Sequence, residues 1–138
     1  MAKKSPKRWV SSPKSPRKPK VPEDTKKHVQ EQCDSFLENT LKPRHIQPPP
    51  DDARFNYIVD LYNLWYRNFF YFCAKYRCPA PNCISEFFEV RYTRLEYTAK
   101  DTYTMAYMRH TGKWQVVFTG LSLDECLSTI KTEEIFWP

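Results

Sequence analysis

Between Glu86 and Phe118 large apolar and polar side chains alternate in three consecutive runs, the pattern of half-buried strands. Glu86-Phe-Phe-Glu-Val-Arg-Tyr-Thr-Arg-Leu-Glu-Tyr97 breaks at Ala99-Lys-Asp101. Thr102-Tyr-Thr-Met-Ala-Tyr-Met108 breaks at His110-Thr-Gly-Lys113, and Trp114-Gln-Val-Val-Phe118 closes the set. Aromatic and β-branched side chains pack well on a pleated surface, and the two breaks carry the Asp and Gly that tight turns need, so an antiparallel meander is predicted.

Residues 53–78 satisfy two periods. Phe55, Ile58, Val59, Tyr62 and Trp65 fit a helix, whereas Phe55, Tyr57, Val59 and Leu61 fit a strand. The strand is preferred, because Phe69-Phe-Tyr-Phe-Cys-Ala-Lys-Tyr76 is too rich in aromatics for a helix surface and ends at the turn-forming Cys78-Pro79-Ala80-Pro81-Asn82. Strands at 55–64 and 69–77, hinged near Tyr66-Arg67-Asn68, add a hairpin. The helical alternative at 53–66 would leave four strands.

Two helices flank the strands. Val29, Cys33, Phe36, Leu37 and Leu41 form an apolar stripe, with Pro22, Glu23 and Asp24 as the helix start and Lys42-Pro43 as its stop. Ser122-Leu-Asp-Glu125 has the form of a capping box opening a helix to about Lys131, whose buried stripe is Leu123, Cys126, Leu127 and Ile130; Ile135-Phe136-Trp137 supply a final apolar plug. The fold expected is α+β: an antiparallel meander of four to five strands with an N-terminal helix at 23–42, a Pro-rich linker at 43–53, a sheet domain at 54–138 ending in a helix, and a disordered basic tail at 1–22.

Composition sharpens that division. Nine of the 12 prolines lie in residues 1–50, while all nine tyrosines and seven of the nine phenylalanines lie between Phe55 and Phe118. Residues 1–27 hold ten Lys or Arg against Glu23 and Asp24, so the chain's net +6 is a +8 arm on a body of −2. Such an arm, made of Lys, Ser, Pro and Arg, cannot offset the entropy of ordering. No apolar run approaches a membrane span and no apolar core follows the first lysines, so an intracellular, cytoplasmic protein is expected. Five cysteines, an odd number, favour reduced thiols without metal.

Catalytic patterns are few. Cys73, Cys78 and Cys83 are evenly spaced, and His110 or Cys126 could complete a zinc site, but the spacing is wider than in zinc knuckles and a five-residue offset separates Cys73 from Cys78 across a strand. His28, His45 and His110 are scattered, and only Gly112 and Gly120 are available for a phosphate loop. No cofactor is therefore expected, and an enzyme less so than a binding protein. Were it an enzyme, His110, Arg109, Glu89 and Asp101 are the residues to inspect. Arg109, His110 and Lys113 share one turn tip, a possible surface site. Lys75, Arg77, Arg91 and Arg94, interleaved with Tyr76, Tyr92 and Tyr97, could form a basic aromatic face for single-stranded nucleic acid, although Glu86, Glu89 and Glu96 on the same strand also allow an ordinary mixed-charge surface.

Trp65-Tyr-Arg-Asn68, Ala74-Lys-Tyr-Arg-Cys-Pro79, Arg94-Leu-Glu-Tyr97, Met108-Arg-His-Thr-Gly-Lys-Trp114 and Leu121-Ser-Leu-Asp-Glu-Cys-Leu127, in that order, resemble a family of small bacterial proteins of unknown function over residues 54–138. The resemblance implies a strand-rich body, a hairpin with Trp114 just after its turn, a short helix and an aromatic near the C-terminus, where Phe136-Trp137 fall. It implies no activity. Outside it, Ser5-Pro-Lys-Arg8, Ser12-Pro-Lys14 and Ser15-Pro-Arg-Lys18 resemble the units in linker and sperm histone tails that contact phosphates and the minor groove of AT-rich DNA. The expectation is a non-enzymatic accessory protein anchored to DNA or ribosomal RNA through Lys3, Lys4, Lys7, Arg8, Lys14, Arg17, Lys18 and Lys20, with the sheet domain as an interaction module for a protein partner. The alternative is a small enzyme or metal-binding domain using the His110 turn or the cysteines.

Overall fold

The computed structural model describes residues 19–138. Its elements are α1 (Glu23–Phe36), a π-helical segment (Leu37–Leu41), α2 (Lys42–His45), strands β1 (Tyr57–Tyr66), β2 (Phe69–Arg77), β3 (Phe87–Ala99), β4 (Thr102–Met108) and β5 (Trp114–Leu121), α3 (Leu123–Thr132) and a 3-10 turn (Glu134–Phe136). The strands form one antiparallel sheet in the order β1-β2-β3-β4-β5. The strand reading of 57–66 is therefore the one realised, and the sheet has five members.

The N-terminal helix runs further than its sequence suggested. Pro43 has no N–H to donate and its ring needs room in the preceding turn. The chain supplies that room by widening to a π-helix over Leu37–Leu41 and placing Pro43 in the first turn of α2, so helical backbone ends at His45 and not at Lys42. The widening also suits the apolar spacing. Val29, Cys33, Leu37 and Leu41 follow at steps of four, which in an unbroken α-helix rotates the stripe by ~40° per step; all four are buried.

The helices cover one face of the sheet. Val21, Val29, Cys33, Leu37 and Leu41 from the N-terminal side share a single core with Phe70, Phe72, Leu95, Tyr97, Tyr103 and Met105 from the sheet and with Leu123, Cys126, Ile130 and Phe136 from the C-terminal side. Phe70, Phe72 and Phe136 are fully buried, each adding about 1.5–3 kcal/mol of apolar transfer. The helix α3 starts as its sequence requires: Ser122 accepts from the Glu125 N–H while the Glu125 carboxylate accepts from the Ser122 N–H. The C-terminal plug is Phe136 alone, since Ile135 is exposed and Trp137 is half-buried, its indole N–H donating to the Ile130 carbonyl at 2.9 Å.

An irregularity in β3 shapes the opposite face. Phe72 pairs with Thr93 and Cys73 pairs with Arg91, so Tyr92 is an extra residue. Tyr92 belongs to the helix-side core, and the Thr93 hydroxyl donates to the Phe136 carbonyl at 2.9 Å on that same side. Two consecutive side chains therefore point inward. Arg91 and Arg94, three apart and thus on opposite faces of a regular strand, both point outward.

The reduced state expected of all five cysteines needs correction. Antiparallel pairing of β2 with β3 closes the 78–86 loop and brings Cys78 to a Cα separation of 6.2 Å from Cys83, where the two form a disulfide. Cys33, Cys73 and Cys126 are free and buried. Among the described residues no helix is long and apolar enough to cross a membrane.

Candidate nucleic-acid interface

Residues 69, 71, 73 and 75 of β2 alternate onto the face opposite the helices, Tyr71 and Cys73 buried there and Phe69 and Lys75 part-exposed, and the β3 bulge delivers Arg91 and Arg94 beside them. The Arg91 guanidinium lies 4.5 Å from the Tyr71 ring centroid. That of Arg94 lies 4.7 Å from Phe69 and 5.0 Å from Trp114 at the start of β5. The rings also touch one another, with Tyr71 5.6 Å from Trp114 and 6.0 Å from Phe69. Further along, Lys75 stands 4.8 Å over the Phe87 ring. The result is a connected layer of cations and aromatic rings across β2, β3 and β5, lying over Cys73 and Ala106, which are wholly buried beneath it.

Electrostatically the layer is unneutralised at its centre. Among the described residues neither Arg91 nor Arg94 has a carboxylate within ion-pair distance, and Arg94 Nε is buried without a hydrogen-bond acceptor. The acids of this face flank the pair along β3. Glu89 accepts the Tyr62 hydroxyl and Glu96 accepts from Asn68 Nδ2 at 3.3 Å. Burial raises the Cys73 thiol to about 11, so it stays protonated beneath the guanidinium groups.

The sequence named three of this layer's seven residues. Lys75, Arg91 and Arg94 are in it, but Tyr92 and Tyr97 are buried in the helix-side core and Tyr76 stacks on Phe88 at 5.2 Å. Arg77 is taken by Glu86 and the Tyr57 hydroxyl, each at 3.1 Å. Phe69, Tyr71, Phe87 and Trp114 were missed. Simple alternation along β2 puts Phe69 and Tyr71 on the same face as Lys75, and that signal was available.

The other candidates do not converge. Arg109, His110 and Lys113 share an exposed turn closed by the Arg109 and Gly112 N–H groups, each bond 2.9 Å, with Gly112 at φ 81°. Asp101 sits in the turn at the other end of β4, seven residues or ~23 Å away along the strand. It borders a cleft of about 360 Å³ with Asp24, His28, Lys100, Tyr103 and Asp124, a lining that includes neither Glu89, Arg109 nor His110. Its carboxylate is already committed, accepting the Leu123 N–H at 3.0 Å at the start of α3. Cys73 lies mid-sheet and Cys78 and Cys83 are bonded to each other, so the three cysteines share no centre; among the described residues no group of three or more His, Cys, Asp or Glu could hold a metal ion.

Of the proposed tail contacts, Lys3, Lys4, Lys7, Arg8, Lys14, Arg17 and Lys18 lie outside the described residues, and Lys20 is exposed at the tail's root. That root is fixed, because Val21 is 2% exposed in the core. Pro19, Lys20 and Lys26 border a cleft of about 470 Å³ whose far wall is Arg67, Asn68 and Phe69. Phe69 is therefore shared between the root of the tail and the cation and ring layer.

Residues 21–138 match a protein family described as Domain of unknown function (DUF3024). The match begins 33 residues before the resemblance read from the sequence, and so takes in α1. No curated protein and no solved structure matches the chain.

Proposed function

The chain belongs to the DUF3024 family, whose description carries no activity, and we propose that this member is a non-enzymatic nucleic-acid-binding protein that engages an anionic polymer through its basic arm and the sheet face opposite the helices together. The observation that carries the reading is Phe69, which lies both in the cleft at the root of the arm and under Arg94 in the cation and ring layer. A polymer held by the arm passes directly onto the face. The body itself is nearly neutral, with 15 basic and 16 acidic side chains over residues 19–138, so the arm supplies attraction and the layer supplies a local site. Seven of the arm's cations precede Pro19; if six of them neutralise phosphates, affinity falls ~10³-fold or more between 50 and 200 mM salt.

The test compares the full chain with one beginning at Pro19, which keeps Val21 in the core, for binding duplex DNA and structured RNA across a salt series. The full chain is expected to bind with a steep salt slope, and the shortened one more weakly with a shallow slope. Equal affinities and slopes for the two chains, or no binding by either at 50 mM salt, would overturn the proposal.

A further inference from the structure

We infer that the layer around Arg91 and Arg94 is a binding site for an unpaired nucleic-acid strand, one that stacks bases as well as pairing with phosphates. This rests on the nucleic-acid reading above and names the substrate class of its sheet face. Three observations lead to it. The guanidinium groups are held on ring faces and not on carboxylates, so their charge is available while their planes are fixed. Arginine planes and aromatic rings are the surfaces on which splayed bases stack, each base contributing ~1–3 kcal/mol. The Arg94 Nε donor is buried and unsatisfied, an arrangement that costs free energy until an acceptor arrives. The β3 bulge is what places both arginines on one face, and bulges are found where a strand re-aims a side chain.

The occupant follows from charge and shape. Glu89 lies along β3 beyond Arg91 and repels phosphates there, so an anionic strand is steered onto the path crossing the sheet from β2 to β5, about three interstrand spacings or ~14 Å. That path fits a short unstacked strand. A duplex presents its bases edge-on inside grooves and offers only phosphates to a surface of this kind.

Binding is measured with the full chain at 150 mM salt, using a labelled twelve-residue oligothymidylate, an abasic strand of equal length and a duplex of equal length. The oligothymidylate is expected to bind at least tenfold more tightly than the abasic strand. The double variant Arg91→Gln, Arg94→Gln is expected to reduce that ratio to within twofold of unity, weakening the oligothymidylate by more than it weakens the abasic strand, which loses only the two phosphate contacts. A second variant, Arg91→Lys with Arg94→Lys, keeps the charge and removes the planar groups, and is expected to lose the base-dependent part alone. Equal binding of oligothymidylate and abasic strand by the parent chain, or tighter binding of the duplex than of either, overturns the single-strand site without touching the arm. Binding of none of the three, even at 50 mM salt, overturns the nucleic-acid reading as a whole.

Discussion

Thr93 shows how much one side chain can carry. It is wholly buried, and its hydroxyl satisfies the carbonyl of Phe136, the residue that closes the core from the C-terminal side. Thr93→Val keeps the shape and strands that carbonyl, at a cost of about 1–3 kcal/mol; urea unfolding should show the midpoint fall with an unchanged slope, and an unchanged midpoint would mean the bond contributes nothing. The buried thiols give a second prediction. Burial first, then the nearby Glu125 and Asp101 carboxylates, pushes the Cys126 thiol from 9.0 up to about 12, and Cys73 is raised to about 11. Their protonated forms are favoured in the fold, so that stabilisation is complete below pH 9. It is lost as pH rises toward 12, because the unfolded chain releases these protons first. Urea midpoints should therefore decline between pH 9 and pH 11, and Cys126→Ala should show a shallower decline. Residue-level chemistry was also where the sequence was least legible. A strict period of two would put Arg91 and Arg94, three apart, on opposite faces; grouping them on one face with Tyr92 and Tyr97 got the arginines right and the tyrosines wrong, because nothing in Tyr92-Thr93 announces the bulge that turns both tyrosines inward.

At the scale of elements the sequence was far more explicit. The strand runs, the turns at 66–68, 99–101 and 109–113 and the capping box of α3 all follow from alternation and from local hydrogen bonding, which need no distant partner. Removing the box with Ser122→Ala should cost about 1 kcal/mol and leave oligonucleotide binding unchanged, because α3 lies on the helix-covered face; a larger loss of binding than of stability would contradict the two-face arrangement. Gly120 stands at φ 71°, in a stretch of β5 where the register with β4 slips by one residue. Open space surrounds the position of an added Cβ, so Gly120→Ala is strained by backbone conformation and not by collision, about 1–2 kcal/mol. What the sequence could not display was the end of α1. A proline following a lysine is a stop signal in isolation, and only packing of Leu37 and Leu41 against the sheet makes a π-helical detour worthwhile.

The whole molecule behaves as one body in which the N-terminal helix is part of the core. Read from composition, residues 54–138 look self-sufficient, with aromatics concentrated there and a Pro-rich stretch before them. The packing differs. Val29, Cys33, Leu37 and Leu41 are each at most 4% exposed and lie in the same cluster as Phe70, Phe72 and Tyr103. Polar ties reinforce the contact, with the Trp65 indole N–H donating to the Lys26 carbonyl at 3.1 Å, Asn63 Nδ2 to Asp34 at 3.1 Å, and Lys42 pairing with Asp60 at 3.3 Å. Without this helix one face of an aromatic sheet would stand in water, and a body of under ninety residues has little burial to spare. A chain beginning at Asp52 is therefore expected to lose cooperative thermal unfolding and to bind a hydrophobic dye, whereas one beginning at Pro19 melts as a single transition within a few degrees of the full chain. Should the Asp52 chain melt cooperatively at the parent temperature, the helix would be an accessory and not a layer of the core. The same pair of chains bears on function, because the arm is tethered through Val21 to the helix layer that packs on the sheet bearing Arg91 and Arg94.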